Sequence, residues 1–263
     1  MNENDDKLKD EKLKTALFNY LLGLGDDLLI LGHRLSEWCG HAPVIEEDIA
    51  LSNIALDCLG EANAFLQYAA ETEGKGRSED DLAFFRDAIE FKNFQMVELP
   101  NGDFAFTVAR QFLFSSYSFI LFGELQKSRL PKLASIAAKS FKEVKYHLRH
   151  SVEWVLRLGD GTEESHYRMQ YALDELWMYT GELFSDEGLD RVLIENGYVP
   201  ESLKLKPLWQ ESVNDVIARA TLLIPTEDSH MARGGRKGIH TEYLGHLLSE
   251  MQILARSYPG AKW

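Results

Sequence analysis

The chain has 263 residues, enough to bury a sizeable core, and 45% of them are apolar with only 7 prolines, the balance of an ordinary globular protein. Its formal net charge of -14 excludes nucleic acid as the main partner, because phosphate binding needs a basic face. Two cysteines, Cys39 and Cys58, lack CxxC spacing, so neither a disulfide framework nor a zinc site is expected, and a reducing cytoplasm is the expected location.

The opening "MNENDDKLKDEKLK" has no apolar core, unlike a signal peptide, and residues 1–13 read as a charged, flexible extension of a single domain spanning 14–263. A first helix is predicted from Leu17 to Trp38, ending at "CGHAP" where Gly40 and Pro43 break it. A second runs from Pro43 to about Glu73, with Glu46, Glu47 and Asp48 at the positive end of its dipole. After the loop "EGKGRSEDD" come a short helix or irregular stretch over 80–98 and a turn at "LPNGD". A third helix covers Phe104 to Lys127, a fourth Pro131 to Leu158, and a fifth about 165–184. A loop-rich stretch (185–206), a helix over 207–222, the loop "PTEDSHMARGGRKG" and a last helix from His240 to Ser257 complete the chain. No run alternates as a strand does, and the most apolar run, Phe112 to Phe122, is far short of the roughly 20 residues of a membrane helix. The expected architecture is all-α: an antiparallel bundle of long helices with a peripheral helical shell. The third helix is apolar on most sides, so it is either central or pressed against another subunit.

The stretch "SFKEVKYHLRH" in the fourth helix sets Glu143 four residues before His147, at the edge of an apolar arc made by Leu133, Ala137, Phe141, Val144 and Val155. Di-iron carboxylate bundles need a glutamate from each of two helices and Glu-x-x-His from each of the other two. Here the third residue after Glu143 is Tyr146. In the second helix Asp57 is followed at the same spacing by Gly60, which has no side chain. Glu143 lies roughly 18 Å past the turn at Pro131, so its antiparallel neighbour falls near 117, where Ser115 and its neighbours supply no carboxylate. The same reckoning sets Asp57 level with Asp26 and Asp27. This ligand set looks incomplete. Two readings stay open: Glu143 with His147 as a helix-face pair, with the aspartates answering Arg34, Arg110 or backbone groups, or an unusual iron site. His33 with Glu37 has the same helix-face reading. In "ARGGRKGIH", Arg233, Arg236 and Lys237 precede a predicted helix start, a weak phosphate pattern without the Walker spacing that a solvated loop or a subunit contact explains better.

The stretches "LSEWCGHAPVIEEDIALSNIALDCLGEANAFLQYAA", "LPNGDFAFTVARQFLF", "SFKEVKYHLRHS" and "RGGRKGIHTEYLGHLLSEMQ" resemble the PaaC family, the non-catalytic subunits of bacterial phenylacetyl-CoA epoxidase. The resemblance runs from about residue 17 and leaves the charged extension outside it. It implies a ferritin-like bundle without catalytic residues or its own metal, with Asp26, Asp27, Asp57, Gly60, Ser115, Glu143, Tyr146 and His147 as remnants of a lost site. It implies a homologous catalytic partner that carries the di-iron centre, and a reductase that delivers electrons from NADPH through FAD and an iron–sulfur cluster. Further small subunits and self-association are compatible with it. The contact is expected on the aromatic side of the third helix or on exposed parts of the first two. The competing readings are an oxygenase with its own iron, and an acyl-CoA-binding helical module using Arg233, Arg236 and Lys237 on the phosphates.

Overall fold

The structure, a computed structural model, describes residues 3–226 and 231–261; part of the predicted loop at 225–238 lies outside them. The long helices are α1 (Glu3–Ser36), α2 (Ile45–Glu73), α5 (Phe104–Leu125) and α6 (Pro131–Gly159). α1 starts well before the predicted Leu17, since nothing in the charged lead-in breaks a helix. Between α2 and α5 lie α3 (Glu79–Phe84) and α4 (Gln95–Glu98). The shell is completed by α7 (Glu163–Trp177), α8 (Arg191–Glu195), α9 (Ser202–Arg219) and α10 (Glu242–Ser257). No strand occurs among the described residues.

Local sequence explains the helix ends. Asp103 caps α5 by accepting from Phe106 N at 2.9 Å, and Pro131 opens α6, where its missing donor costs nothing. α3 starts on a capping box formed by Ser78 and Asp81.

Packing fixes the topology. α2 returns antiparallel along α1: a Cβ at Gly25 would meet Leu66, and one at Gly32 would meet Leu59 and Ala55. α5 begins beside the end of α1, where Trp38 Nε1 donates to Thr107 Oγ1 at 3.0 Å and Asn101 Nδ2 to the Arg34 carbonyl at 2.6 Å. The chain between α2 and α5 must therefore travel the length of the bundle. α6 then runs back along α5, with Phe119 and Phe141 stacked at 4.7 Å and Phe104 edge-on to Trp154 at 4.9 Å. One long crossover joining two antiparallel pairs is the ferritin-like arrangement.

α5 is central. Phe112, Phe114, Tyr117, Leu121 and Phe122 are buried within this chain, so these side chains are not available to another subunit, whereas Phe104, Phe106 and Phe119 are half-buried. Residues 11–36 of α1 are long and apolar enough to span a membrane, but 78% of the apolar window is buried in the bundle, as in the core helix of a globular protein.

At the far end of α6, Gly159 lies against the C-terminus of α9. A Cβ there would sit 2.5 Å from the Ala220 carbonyl oxygen and 2.8 Å from Ala220 Cβ. Backbone cannot swing aside as a side chain can. Gly159→Ala is expected to cost about 1–3 kcal/mol, read as a lowered thermal midpoint, with helical circular dichroism retained at low temperature.

Candidate functional site

Most of the residues singled out in the sequence fall into three separate places. The first is the seam between α2 and α6. His147 is buried in the middle of α6's inward stripe rather than at its edge, and its Nε2 lies 3.0 Å from Asp57 Oδ2. His150 Nε2 pairs with Glu47 Oε2 at 2.8 Å. Glu143 does not pair with His147; it meets Glu61 of α2 and, at 3.7 Å, Lys139.

Glu61 is absent from the predicted set, although it stands four residues after Asp57, as His147 stands four after Glu143. On both helices the i+4 position faces inward and the i+3 position faces out. Gly60 is exposed, with open space where a Cβ would point. Tyr146 is also exposed, with its ring beside those of His147 and His150. These two positions are therefore outside the polar seam, not gaps within it.

Glu61 is 2% exposed. Burial, the hydrogen bond with Glu143 and the nearby charges of Glu143 and Asp57 push its pKa well above the usual carboxylate range. Neither Glu61 oxygen nor Glu143 Oε2 meets a donor elsewhere. A proton held on Glu61 and donated to Glu143 satisfies the pair. In the unfolded chain Glu61 ionises near 4.5, so stability attached to the retained proton is complete below that pH and is lost as pH rises through the folded value. Glu61→Gln keeps a donor for Glu143 and removes the titration. Its melting temperature is expected to equal that of the parent at pH 4 and to exceed it increasingly from pH 5 to 8, as followed by circular dichroism.

Asp26 and Asp27 occupy the second place, and their predicted level with Asp57 is corrected. The 37–44 link does not fold back directly, so α2 starts beyond the end of α1 and Asp57 lies near α1's last turns. The two aspartates instead hold the crossover, and their partners are neither Arg34 nor Arg110. Asp26 accepts from Lys92 N at 2.8 Å and Arg86 Nη1 at 3.0 Å; Asp27 accepts from Phe94 N at 2.8 Å and Arg236 Nη2 at 2.6 Å. Burial raises the Asp27 pKa to about 7 against the opposing charge of Arg236. Glu182 accepts from Gln95 N at 2.8 Å and Gly235 N at 2.6 Å. Buried backbone donors of an irregular segment need acceptors, and three carboxylates provide them. Glu98 plays the same part for the C-terminal region, accepting from Asn93 Nδ2 at 3.0 Å, His240 Nδ1 at 3.1 Å and Thr241 N at 2.6 Å. Burial alone would lower the His240 pKa; the Glu98 carboxylate outweighs it and raises the value.

The third place is the 233–241 segment, and here the phosphate reading is corrected. Arg236 is turned inward onto Asp27, the Gly23 carbonyl and the Lys92 carbonyl. Lys237 pairs with Glu187 at 3.1 Å. The amide before α10 is taken by Glu98. Arg233 is exposed and stands apart from these inward contacts. Ser115, on α5, is buried and accepts a hydrogen bond from Gln111 Nε2 at 2.8 Å.

Among the described residues, no three His, Cys, Asp or Glu side chains converge in a geometry that could hold a metal ion. The seam does not fit a di-iron centre. Asp57 is engaged with His147 and Glu61 with Glu143, in separate pairs, and Asp26 and Asp27 are occupied elsewhere.

The fold and seam define a ferritin-like helical protein whose acidic and histidine side chains tie its helices together. The chain belongs to the PaaA/PaaC family of phenylacetic acid catabolic proteins, which matches residues 1–263 and so includes the charged extension set outside the resemblance. It is 49% identical over 244 residues, 93% of this chain and 98% of the relative, to a subunit of the 1,2-phenylacetyl-CoA epoxidase of Escherichia coli (strain K12).

Proposed function

We propose that the chain is the non-catalytic structural subunit of a phenylacetyl-CoA epoxidase and supports a homologous catalytic subunit that holds the di-iron centre. A flavin and iron–sulfur reductase would carry electrons from NADPH to that partner. The observation that carries this reading is the α2–α6 seam, where Asp57 pairs with His147 and Glu61 with Glu143 and, among the described residues, no three acidic, histidine or cysteine side chains converge on one point. The uncovered side of α2 supports the scaffold role. Ile45, Ile49 and Leu56 are 72%, 57% and 66% exposed and recur at helical spacing on the side away from the core. With Val44 they form an apolar stripe of the kind that obligate interfaces cover.

The test is co-expression with the catalytic homologue, followed by iron and activity assays on separate and mixed chains. Iron confined to the partner, with epoxidation lost when this chain is omitted, is the expected result. Near-stoichiometric iron in this chain purified alone, with an oxygen-dependent visible spectrum, would overturn the proposal.

A further inference from the structure

A cavity of about 370 Å³ opens on the opposite side of α1 from the α2–α6 seam. It lies between α1, the crossover, the 183–189 segment and the first turn of α9. Its volume falls within the range of roughly 300–1,000 Å³ usual for small-molecule sites. Burial is graded from floor to mouth: Leu24, Phe94, Tyr117 and Leu183 are buried, Tyr20 and Lys92 are half-buried, and Gly188 and Lys237 are exposed.

The floor is rigid. The Arg236 guanidinium lies 3.6 Å from the Phe94 ring centroid and is fixed by Asp27 and two backbone carbonyls. Two glycines leave room for this arginine: a Cβ at Gly23 would come 2.8 Å from its Nη1, and one at Gly188, where φ is +78°, 2.9 Å from its Cβ.

Charge around the cavity runs against that of the whole chain. Arg236, Lys92 and Lys237 line it, and Glu187, the one acid there, is spent on Lys237. Lys92 has its backbone clamped on both sides: its N–H donates to Asp26 and its carbonyl accepts from Arg236. Its ammonium makes no ion pair among the described residues. A lysine held in the wall by its backbone, with no ion pair of its own among the described residues, beside a pocket walled by aromatic rings, is complementary to a ligand with a negative group and an apolar ring.

We propose that this cavity binds a small organic anion with a ring-bearing apolar body, the ring against Tyr20, Phe94 and Tyr117 and the negative group at Lys92. This is independent of the scaffold function, since the site lies away from the α2 stripe.

The test titrates the full chain with two fluorescent probes that share the same rings. 8-Anilinonaphthalene-1-sulfonate carries one negative charge, and N-phenyl-1-naphthylamine carries none. Each is expected to bind saturably at one site. Lys92→Glu should weaken the sulfonate at least tenfold and leave the neutral probe within twofold. Asn19→Trp, at the mouth on α1, should abolish both; Ser202→Trp, on the α9 side, repeats the block if the first variant does not fold. Equal loss of both probes in Lys92→Glu would overturn the anion preference. Unchanged binding in the tryptophan variants, or probe binding removed by charges placed on the α2 stripe, would overturn the site.

Discussion

Replacing Ile49 and Leu56 together by glutamate is expected to release the chain from its catalytic homologue, weakening association at least a hundredfold, while the thermal midpoint of the isolated chain stays within about 2 °C of the parent. Both side chains face solvent in the single chain, and surface substitutions of this kind usually change stability by no more than about 0.5 kcal/mol. In a complex that covers the stripe, each glutamate would lose its water without gaining a partner, a cost that commonly exceeds 2 kcal/mol at the centre of an interface. Two such losses correspond to roughly a thousandfold in affinity before any local rearrangement. Gel filtration and titration calorimetry of the mixed chains provide the measurement. Unaltered association would remove α2 from the interface while leaving the reading of the polar seam in place.

The second large effect is expected at Arg86. Arg86 and Asp26 are 2% and 0% exposed and form an ion pair in the core, with the guanidinium 4.1 Å from the Phe91 ring centroid. Arg86→Ala strands the Asp26 carboxylate away from water, and breaking one side of a buried pair costs about 3–5 kcal/mol. For a domain of this size that lowers the melting temperature by roughly 10 °C. The double variant Arg86→Met, Asp26→Asn should recover part of the loss, because no unpaired charge remains. Similar destabilisation in the single and double variants would show that the ring and backbone contacts of Arg86, not its charge, hold the crossover.

Periodicity makes most of the helices legible in the sequence, and the ends of α2, α6 and α10 follow from their charge and breaker residues. The crossover is not legible. Residues 74–103 contain only short helices, and nothing in their composition says that they climb the bundle instead of looping at its base. Asp26 and Asp27 illustrate the difficulty. Acids in an apolar helix read as former metal donors, but their task is to receive the backbone amides of Lys92 and Phe94. That role is set by a segment more than sixty residues away. The candidate site is half legible. His147 and Asp57 do meet, but the i+3 spacing leads to Gly60 and Tyr146, both on the outer surface, and passes over Glu61 one residue further on from Gly60. Rotation about a helix axis by one residue separates an inward group from an outward one, and spacing alone does not decide which face meets the neighbouring helix. Arg236 reads as the cation of a solvated loop, a subunit contact or a weak phosphate site, because an arginine in a glycine-rich loop gives no sign of the buried aspartate waiting for it.

The 37–44 link that carries α2 past the end of α1 also holds Cys39 in solvent, whereas Cys58 is enclosed in the core and its thiol pKa is raised well above normal by burial and by the carboxylates near it. Reaction with a maleimide dye at neutral pH therefore has a single target on the unaltered sequence, a few residues from the apolar stripe. Fluorescence anisotropy from that position would follow assembly of the complex in real time without any engineered tag.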